Sequence, residues 1–244
     1  MEKEYAVKSL AKAMQVLECF TLQEPELGVT EISRKLGMLK TTVYNILNTF
    51  EQLGYVVQNP KTGKYYLGTK VLSLSYIVNN HMGLRERFLP YLEKVAAACG
   101  EVCYFGVPEG HEVLYIESVY PPGQARLRNL LGERAPMHCT GLGKAMLAYM
   151  PLPDIPLPSF TPQTICDPAT LKAELSVIRE RGYAIDNMEH EIGIKCVAVP
   201  VFSADRHVIA AVSVSGPSMR FDDRTIKAHA KTMIDILHPL QGCL

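Results

Sequence analysis

The segment that ends at Gly54 constrains the fold most, because it carries two opposed stripes at helical spacing. The apolar stripe recurs at i, i+3, i+4 and i+7 and consists of Val43, Ile46, Leu47 and Phe50. The polar stripe has the same spacing and consists of Thr41, Tyr44, Asn45 and Asn48. This pattern predicts a helix that packs against a core on one side and presents a polar face on the other.

Two shorter helices are predicted ahead of this one. Leu10, Met14 and Leu17 recur at helical spacing, which indicates an amphipathic helix from about Val7 to Thr21. Thr30 can cap a short second helix, and Gly37 is placed to end it. The second and third helices are then separated by a turn of only a few residues.

A β-hairpin is predicted after Gly54. Residues 55–58 and 64–67 have strand character and flank a turn-forming loop, with Lys61 and Lys64 near its tip. Short helix, tight turn, polar-faced helix and hairpin, in this order, make a winged helix-turn-helix. In that motif the polar-faced helix reads bases and the hairpin contacts phosphates. The helix pair alone is equally compatible with an ordinary packed αα-hairpin.

The charge distribution favours the DNA-binding interpretation more than the total charge does. The chain has 25 Lys and Arg against 25 Asp and Glu, so its net charge is zero. From Thr30 to Lys70, however, six basic residues stand against two acidic ones, which gives this segment about +4. The excess positive charge lies where the phosphates would lie.

Composition excludes several other classes of protein. With 48% hydrophobic and 20% charged residues, the chain resembles an ordinary globular protein. It has no apolar run long enough to span a membrane, and its first residues lack the pattern of a signal peptide, so we expect a cytoplasmic protein without a membrane partner. Its seven cysteines are scattered and odd in number, which indicates reduced thiols. None has zinc-finger spacing, so no metal and no cofactor are expected.

The remaining two thirds of the chain predict an α+β domain. An apolar-rich helix from Thr69 to about Asn80 serves as a connector. Beyond it, strands are predicted at 102–107 and 113–119 around a turn at 108–110, and again at 195–202 and 208–215. Helices are predicted up to Cys99, from Asp167 to Gly182 and from about Asp222 to Leu237. Mixed elements of this kind form an antiparallel-rich sheet covered by helices.

Several ordered motifs resemble the IclR-type bacterial transcriptional regulators over essentially the whole chain. In the first part they are Val7-x-Ser9-Leu10, Lys40-Thr41-Thr42-Val43-Tyr44 and Gly54-Tyr55. In the second part they are residues 136–145, Arg181-Gly182-Tyr183, residues 186–196 and residues 210–217. The resemblance implies a winged helix-turn-helix at residues 6–68, a linker helix at 69–82 and a GAF-like effector-binding domain at 83–244. It also implies homodimers, commonly paired into tetramers.

The residues themselves suggest a small-molecule pocket but do not require one. Gly141 opens a helix whose first amide groups lack intrahelical acceptors and can hold an anion, although a glycine at a helix start is equally compatible with a tight turn. Ser213 and Ser215 lie two apart on a strand and so share a face, yet such hydroxyls often bond neighbouring backbone. Cys196 can equally be a core residue.

The resemblance is more specific about the pocket. In relatives whose effectors are small keto or hydroxy acids, the positions that line it match Gly141, Leu142, Asp186, Cys196, Ser213 and Ser215. We therefore expect a small hydroxy or keto carboxylate held by the amides of Gly141 and Leu142 and by the two serines. Asp186 and Cys196 would contact its other end. Leu142 replaces the small residue of glyoxylate-type relatives, which implies a differently shaped pocket.

The expected DNA-binding residues depart from the family pattern at two positions. Leu39 stands where relatives commonly have a capping serine, and Asn45 stands where they commonly have an arginine. Asn pairs with adenine whereas Arg prefers guanine, so an altered base preference is expected unless Asn45 merely faces solvent. The predicted contacts with double-stranded operator DNA are Thr30, Lys40, Thr41, Thr42, Tyr44, Asn45, Asn48, Lys61 and Lys64.

Together these observations predict a ligand-responsive DNA-binding regulator, a repressor rather than an activator, with no catalytic residues. One alternative is a sensor module whose helix-turn-helix serves protein interaction. Another is a small-molecule enzyme, but no nucleophile-elbow or phosphate-loop motif supports it. A proline-dense stretch at residues 151–162 predicts an irregular loop, either a plain surface loop or an altered lid or subunit contact.

Overall fold

A computed structural model of the chain describes residues 5–82, 84–121, 123, 130–152 and 154–242. The predicted stretch at 151–162 includes Pro153, and Cys243 was among the predicted free thiols; both lie outside these residues. The chain divides into two compact units, residues 1–83 and residues 84–244. Within the described residues, no helix combines the length and the apolar character needed to cross a bilayer.

The first unit is a winged helix-turn-helix, as the sequence predicts. Its elements are α1 (Lys8–Leu17), α2 (Val29–Leu36), α3 (Lys40–Gln52), β1 (Val56–Gln58), β2 (Tyr65–Leu67) and α4 (Lys70–Met82). The predicted apolar stripe supplies two fully buried core residues, Val43 and Leu47. They pack with apolar side chains from the other elements, which include Val16, Ile32, Val56 and Tyr65.

The start of α2 differs from the prediction. Thr30 is the second residue of the helix rather than its cap, and Gly28 occupies the capping position. The Glu31 carboxylate accepts the Gly28 N–H at 2.7 Å, so a side chain in the first turn of α2 satisfies the amide of the capping residue. The predicted end of α2 is confirmed, because Gly37 adopts a left-handed φ of 63°. Helix α1 is shorter than predicted and ends at Leu17.

The hairpin of β1 and β2 is antiparallel, with Val57 opposite Tyr66. Its turn closes where Asn59 N–H donates to Lys64 O at 2.7 Å, and Gly63 supplies the positive φ that this turn requires. Leu27 bridges to Tyr65 on the other side of β2, through reciprocal backbone hydrogen bonds. This bridge fixes the wing to the segment that leads into α2.

The second unit contains a six-stranded sheet in which every neighbouring pair is antiparallel. Its strands are β3 (Val102–Glu109), β4 (Glu112–Val119), β5 (Arg134–Pro136), β6 (Ala184–Asn187), β7 (Ile194–Phe202) and β8 (Val208–Pro217). They lie in the order β5-β4-β3-β8-β7-β6. The fold is therefore α+β with an antiparallel sheet, as predicted.

Helices cover both faces of the sheet. The α5 (Leu84–Cys99) and α8 (Asp223–Leu237) helices pack on one face, against a core that includes Phe105, Val212 and Val214. The α6 (Gly141–Leu147) and α7 (Pro168–Arg181) helices pack on the other face, against Ala198 and Ala211. Short 3-10 turns at Ser218–Arg220 and His238–Leu240 flank α8.

The local signals at α7 are confirmed. Asp167 caps the helix by accepting the Thr170 N–H at 2.7 Å, Pro168 is its first residue, and Gly182 ends it with a left-handed φ of 81°. The turn between β3 and β4 was wrongly placed, since Pro108 and Glu109 belong to β3 and the turn is Gly110-His111. Pro108 is tolerated there because the pairing of β3 with β8 already stops at Gly106.

Gly143 in α6 sets the approach of that helix to the preceding loop, and its substitution tests the packing. A Cβ at residue 143 would lie 2.3 Å from Met137 Cα and 2.4 Å from Met137 O. We expect Gly143→Ala to reduce the free energy of unfolding by about 3 kcal/mol or more, measured by chemical denaturation, because backbone must move.

Gly141→Ala is the matched control in the same helix. Its Cβ would meet only side-chain atoms, of which the nearest is Cys196 Cβ at 3.2 Å. The expected loss is about 1 kcal/mol. Equal losses for the two variants would contradict this account of the helix approach.

Candidate functional site

The exposed face of α3 carries the polar stripe that the sequence predicts. Thr41, Tyr44, Asn45 and Asn48 are exposed, and Tyr44 in particular leaves half of its side-chain surface uncovered. Lys40 at the helix start and Thr30 on α2 are also exposed, while Thr42 is half-buried. An exposed aromatic and two amide side chains on one helical face can hydrogen-bond to base edges or stack on sugars.

The start of α3 is uncapped, in keeping with the departure at Leu39. Leu39 occupies the capping position without a side-chain hydrogen bond and is 75% exposed. The first-turn amides of a helix have no intrahelical acceptor, so they remain available to an external anion such as a phosphate.

The two lysines of the wing differ in their surroundings. Lys61 is exposed at the tip of the turn. Lys64 Nζ instead donates to Glu31 Oε1 at 2.8 Å, and this bond, followed by the Gly28 N–H, holds the pKa of Glu31 below its ordinary value. Glu31 thus joins the wing to the start of α2 and offsets part of the charge assigned to Lys64.

Lys35 is offset in the same way by an ion pair with Glu24, which lies outside the basic segment counted in the sequence. Two of the six bases between residues 30 and 70 are therefore paired. Glu31 is already one of the two acids in the sequence count, so only Glu24 is a further offset, and it reduces the net charge of this surface from about +4 to about +3.

In the second unit, one cavity of about 430 Å³ is lined by all six residues of the predicted pocket. Its floor is set by strand register: Asp186 on β6 pairs with Cys196 on β7, which pairs with Ser215 on β8. Alternation along β8 places Ser213 on the same face, while Val212 and Val214 enter the core on the other. Gly141 and Leu142 at the start of α6 form a second wall, which meets the polar row where residue 141 packs on Cys196.

The row of polar side chains is joined by hydrogen bonds. Cys196 Sγ lies 2.7 Å from Ser215 Oγ and 3.8 Å from Asp186 Oδ2, and Asp186 Oδ1 accepts the Glu189 N–H at 2.8 Å. Burial raises the pKa of Asp186 to about 7; the Glu189 N–H and Lys144 oppose this rise, and the Glu189 carboxylate adds to it. Burial also raises the pKa of the Cys196 thiol well above its ordinary value.

The start of α6 combines tight packing with unsatisfied amides. Thr140 caps the helix, because its Oγ1 accepts the Gly143 N–H at 3.1 Å. Gly141 and Leu142 precede Gly143, and their amides have no acceptor within the helix. A Cβ at residue 141 would lie 3.2 Å from Cys196 Cβ, so a side chain there would have to displace its β7 neighbour by a few tenths of an ångström. The φ of Gly141 is not positive, so a tight turn does not explain the glycine.

Other residues around the cavity escaped prediction. Tyr104 and Tyr115 meet edge to face, with ring centroids 5.7 Å apart, and line the cavity with Tyr120. Lys144 of α6 forms an ion pair with Glu189 in which both side chains are almost completely buried. Glu101 and Arg220 form a bidentate pair with two 2.6 Å bonds and also line the cavity.

The sequence offered little signal for these residues. Tyr104 lies opposite Ser213 only through the pairing of β3 with β8, and Lys144 and Glu189 are 45 residues apart. Among the described His, Cys, Asp and Glu residues, no group of three is placed to hold a metal ion. Cys139, just ahead of α6, is a buried thiol, and its burial raises its pKa to about 12.

Comparison with known proteins agrees with both units. Residues 9–60 match the IclR helix-turn-helix domain, and residues 76–237 match the bacterial transcriptional regulator IclR C-terminal model. The chain is 34% identical to the HTH-type transcriptional regulator XynR of Escherichia coli over 224 residues, 89% of each chain. It is 29% identical to the transcriptional repressor IclR of Escherichia coli, across 89% of this chain and 82% of that one.

A solved structure with a bound small molecule is also similar to this chain. An IclR homologue from Microbacterium hydrocarbonoxydans, complexed with 4-hydroxybenzoate, superimposes with a TM-score of 0.80 at 25% identity. The alignment covers 96% of this chain and 99% of that one.

A winged helix-turn-helix followed by an α+β domain with an internal cavity defines a helix-turn-helix transcriptional regulator. This chain belongs to the IclR family of bacterial transcriptional regulators. Members of that family are regulators and not enzymes, which sets aside the enzyme alternative.

The raised pKa of Asp186 predicts a pH-dependent stability. Its folded-state pKa of about 7 exceeds the unfolded value of 3.8, so the stability that it contributes below pH 4 is lost as the pH rises through 7. Asp186→Asn removes this loss and retains an acceptor for the Glu189 N–H. We expect the stability of the variant relative to the natural chain to improve by about 2 to 3 kcal/mol between pH 5 and pH 8, measured by denaturant unfolding.

The other titratable groups around Asp186 are unchanged in this variant, namely Lys144 on α6, Cys139 ahead of it, Glu189 after β6 and Cys196 on β7. A stability difference that does not vary with pH would show that Asp186 is already ionised at pH 5.

Proposed function

We propose that the chain is an effector-responsive repressor of a catabolic operon, whose operator affinity changes when a small hydroxy or keto carboxylate binds in the cavity. The observation that carries this proposal is the convergence of Gly141, Leu142 and the polar row on one cavity, in a unit separate from the winged helix-turn-helix. A DNA-reading unit and a ligand-sized cavity on one chain are what such a regulator needs.

On the DNA side, α3 enters the major groove with its exposed face toward the bases. Asn45 and Asn48 have the amide groups that pair with adenine N6 and N7, and Tyr44 and Thr41 lie on the same face. Lys40, Lys61 and the uncapped amides of α3 contact phosphates. Thr30 on α2 and Thr42 on α3 also contact the DNA backbone. Lys64 contributes less because of its bond to Glu31.

On the ligand side, the amides of Gly141 and Leu142 and the hydroxyls of Ser213 and Ser215 hold the carboxylate. The hydroxyl or keto oxygen of the ligand faces Asp186 and Cys196. A carboxyl with a pKa of about 7 is largely protonated below neutral pH, so it donates a hydrogen bond to the ligand instead of repelling its negative charge.

The cavity volume and its tyrosines bear on the size of the ligand. A two- or three-carbon acid has about six heavy atoms, or roughly 100 Å³, and fills only a part of a pocket in the range typical of larger ligands. Tyr104 and Tyr115 offer an aromatic wall to the remainder. The 4-hydroxybenzoate of the Microbacterium homologue is a hydroxy carboxylate of suitable size.

The ligand acts through a difference in affinity between two arrangements of a homodimer or a tetramer. Paired recognition helices meet successive major grooves only at one spacing, about 34 Å. An effector that binds better to the arrangement with another spacing lowers the affinity for the operator.

Wing and α2 variants separate phosphate contact from base reading. We expect Lys61→Ala to weaken binding to all DNA sequences and to reduce the slope of log K against log salt by about 1. Glu31→Gln is the matched opposite, because it frees Lys64 for phosphates and keeps an acceptor for the Gly28 N–H; it should strengthen non-specific binding. Fluorescence anisotropy over a salt series measures both effects. Indifference of the slope to both variants would contradict the assignment of the wing.

Asn45→Ala tests the reading face. It should cost about 1 to 3 kcal/mol of discrimination at one base position and leave the salt slope unchanged. The measurement is affinity for operator variants with each base in turn, with Gln52→Ala on the same helix as the control. If Asn45→Ala lowers affinity equally for every sequence, Asn45 contacts the backbone or only solvent.

The proposal as a whole is tested with DNA from upstream of the gene and its neighbours, with and without a panel of hydroxy and keto acids. Specific, salt-dependent binding that one acid weakens supports a repressor and identifies the effector class. Specific binding that an acid strengthens overturns the sign of the proposed response. Absence of specific binding under all conditions favours a helix-turn-helix that serves protein interaction.

A further inference from the structure

The segment of residues 158–164, which ends the proline-dense stretch, is fastened to the turn that follows β6. Thr161 is 5% exposed, and its Oγ1 donates to Met188 O at 2.7 Å. Thr164 Oγ1 donates to Glu189 O at 2.5 Å and accepts the Thr161 N–H at 2.9 Å. Two hydroxyls of this segment thus hold two adjacent carbonyls of the turn. We call residues 158–164 the threonine clasp.

The clasp also reaches the loop that precedes α6. Pro158 O lies 3.0 Å from Nε2 of His138, a buried residue two positions ahead of the capping Thr140. The Phe160 ring lies between two imidazoles, with its centroid 6.1 Å from that of His138 and 5.3 Å from that of His190. His190 itself lines the cavity. The clasp therefore connects the two walls of the cavity, one from α6 and one from β6.

The turn that the clasp holds needs external support. Met188 has a φ of 61°, a left-handed conformation that is unfavourable for a residue with a side chain. The next residue, Glu189, donates its N–H to Asp186 and pairs its carboxylate with Lys144. A shift of this turn would move Asp186, the end of the polar row, away from α6.

We propose that Thr161 and Thr164 are positioning residues that set the width of the effector cavity by fixing the Asp186 wall against α6. The role in effector binding rests on the proposed function, whereas the positioning itself does not. These bonds favour the altered-lid alternative for this segment over a plain surface loop. A plain surface loop leaves its polar side chains in solvent, whereas Thr161 is buried and its hydroxyl is bonded to the strained turn.

The test exploits the cysteines of the second unit. Cys196 lies in the cavity wall, Cys103 is fully buried in the core on the other face of the sheet, and Cys166 is exposed. The full-length Thr161→Val and Thr164→Val variants lose a hydroxyl but keep the side-chain shape. Thr161→Ser and Thr164→Ser keep the hydroxyl and serve as matched controls.

Each protein is treated with iodoacetamide, and alkylation of each cysteine is followed by peptide mass spectrometry. We expect each valine variant to raise the rate at Cys196 by about tenfold, the change in local opening for one buried hydrogen bond lost. The rate at Cys103 should stay within about twofold, since the core remains closed. The serine variants should match the natural chain at both cysteines, and Cys166 calibrates the reagent.

Two outcomes would overturn the proposal. An unchanged rate at Cys196 would show that the clasp does not hold the wall, and a parallel rise at Cys103 would show that the valines merely destabilise the whole unit. Neither readout involves DNA or an effector. Failure of the clasp is therefore distinguishable from failure of the proposed function, which would appear only in the operator-binding experiment.

Discussion

The cavity depends on one constraint, the register that places Asp186, Cys196 and Ser215 side by side on β6, β7 and β8. Because side chains alternate across a strand, this register assigns one face of the sheet to polar groups and the other to the core of Val197, Val212 and Val214. A slip of one residue in β7 or β8 would exchange the two faces. The polar row exists only because the apolar face is packed so completely against α5 and α8 that the register has no alternative.

The second wall is held by a different force. The buried Lys144–Glu189 pair joins α6 to the turn after β6, where both charges are removed from water. Such a pair gains little net stability, because the cost of desolvation offsets most of the attraction, but breaking it leaves a buried charge without a partner. Among the described residues, no group hydrogen-bonds to the buried Glu189 Oε2, so the protein satisfies only one of the two carboxylate oxygens there. We conclude that this contact determines geometry more than stability.

Helix ends and helix faces could be predicted from the sequence, because residues close together in the chain determine them. Asp167, Pro168 and Gly182 determine α7 through capping, and the stripes of α3 determine which of its faces is buried. Features that depend on other contacts could not be predicted. Gly28, with its N–H bonded to Glu31, takes the capping position that we expected for Thr30. The β5 and β6 strands have only three and four residues, and they are strands because β4 and β7 pair with them. The six pocket residues came from family resemblance, whereas Tyr104, Lys144 and the threonine clasp depend on tertiary contacts that no spacing reveals.

The two glycines of α6 also bear on how ligand preference can diverge among descendants of this chain. Any side chain at residue 143 collides with backbone, and one at residue 141 presses on Cys196, so the α6 end of the cavity tolerates less change than the rest. Residues 142, 196 and 213 and the tyrosine wall carry side chains that can be exchanged one at a time without moving the helix. If the cavity takes the proposed carboxylate, new effectors are acquired by changing the side chains around the rest of the ligand, while the acid group continues to bind at α6.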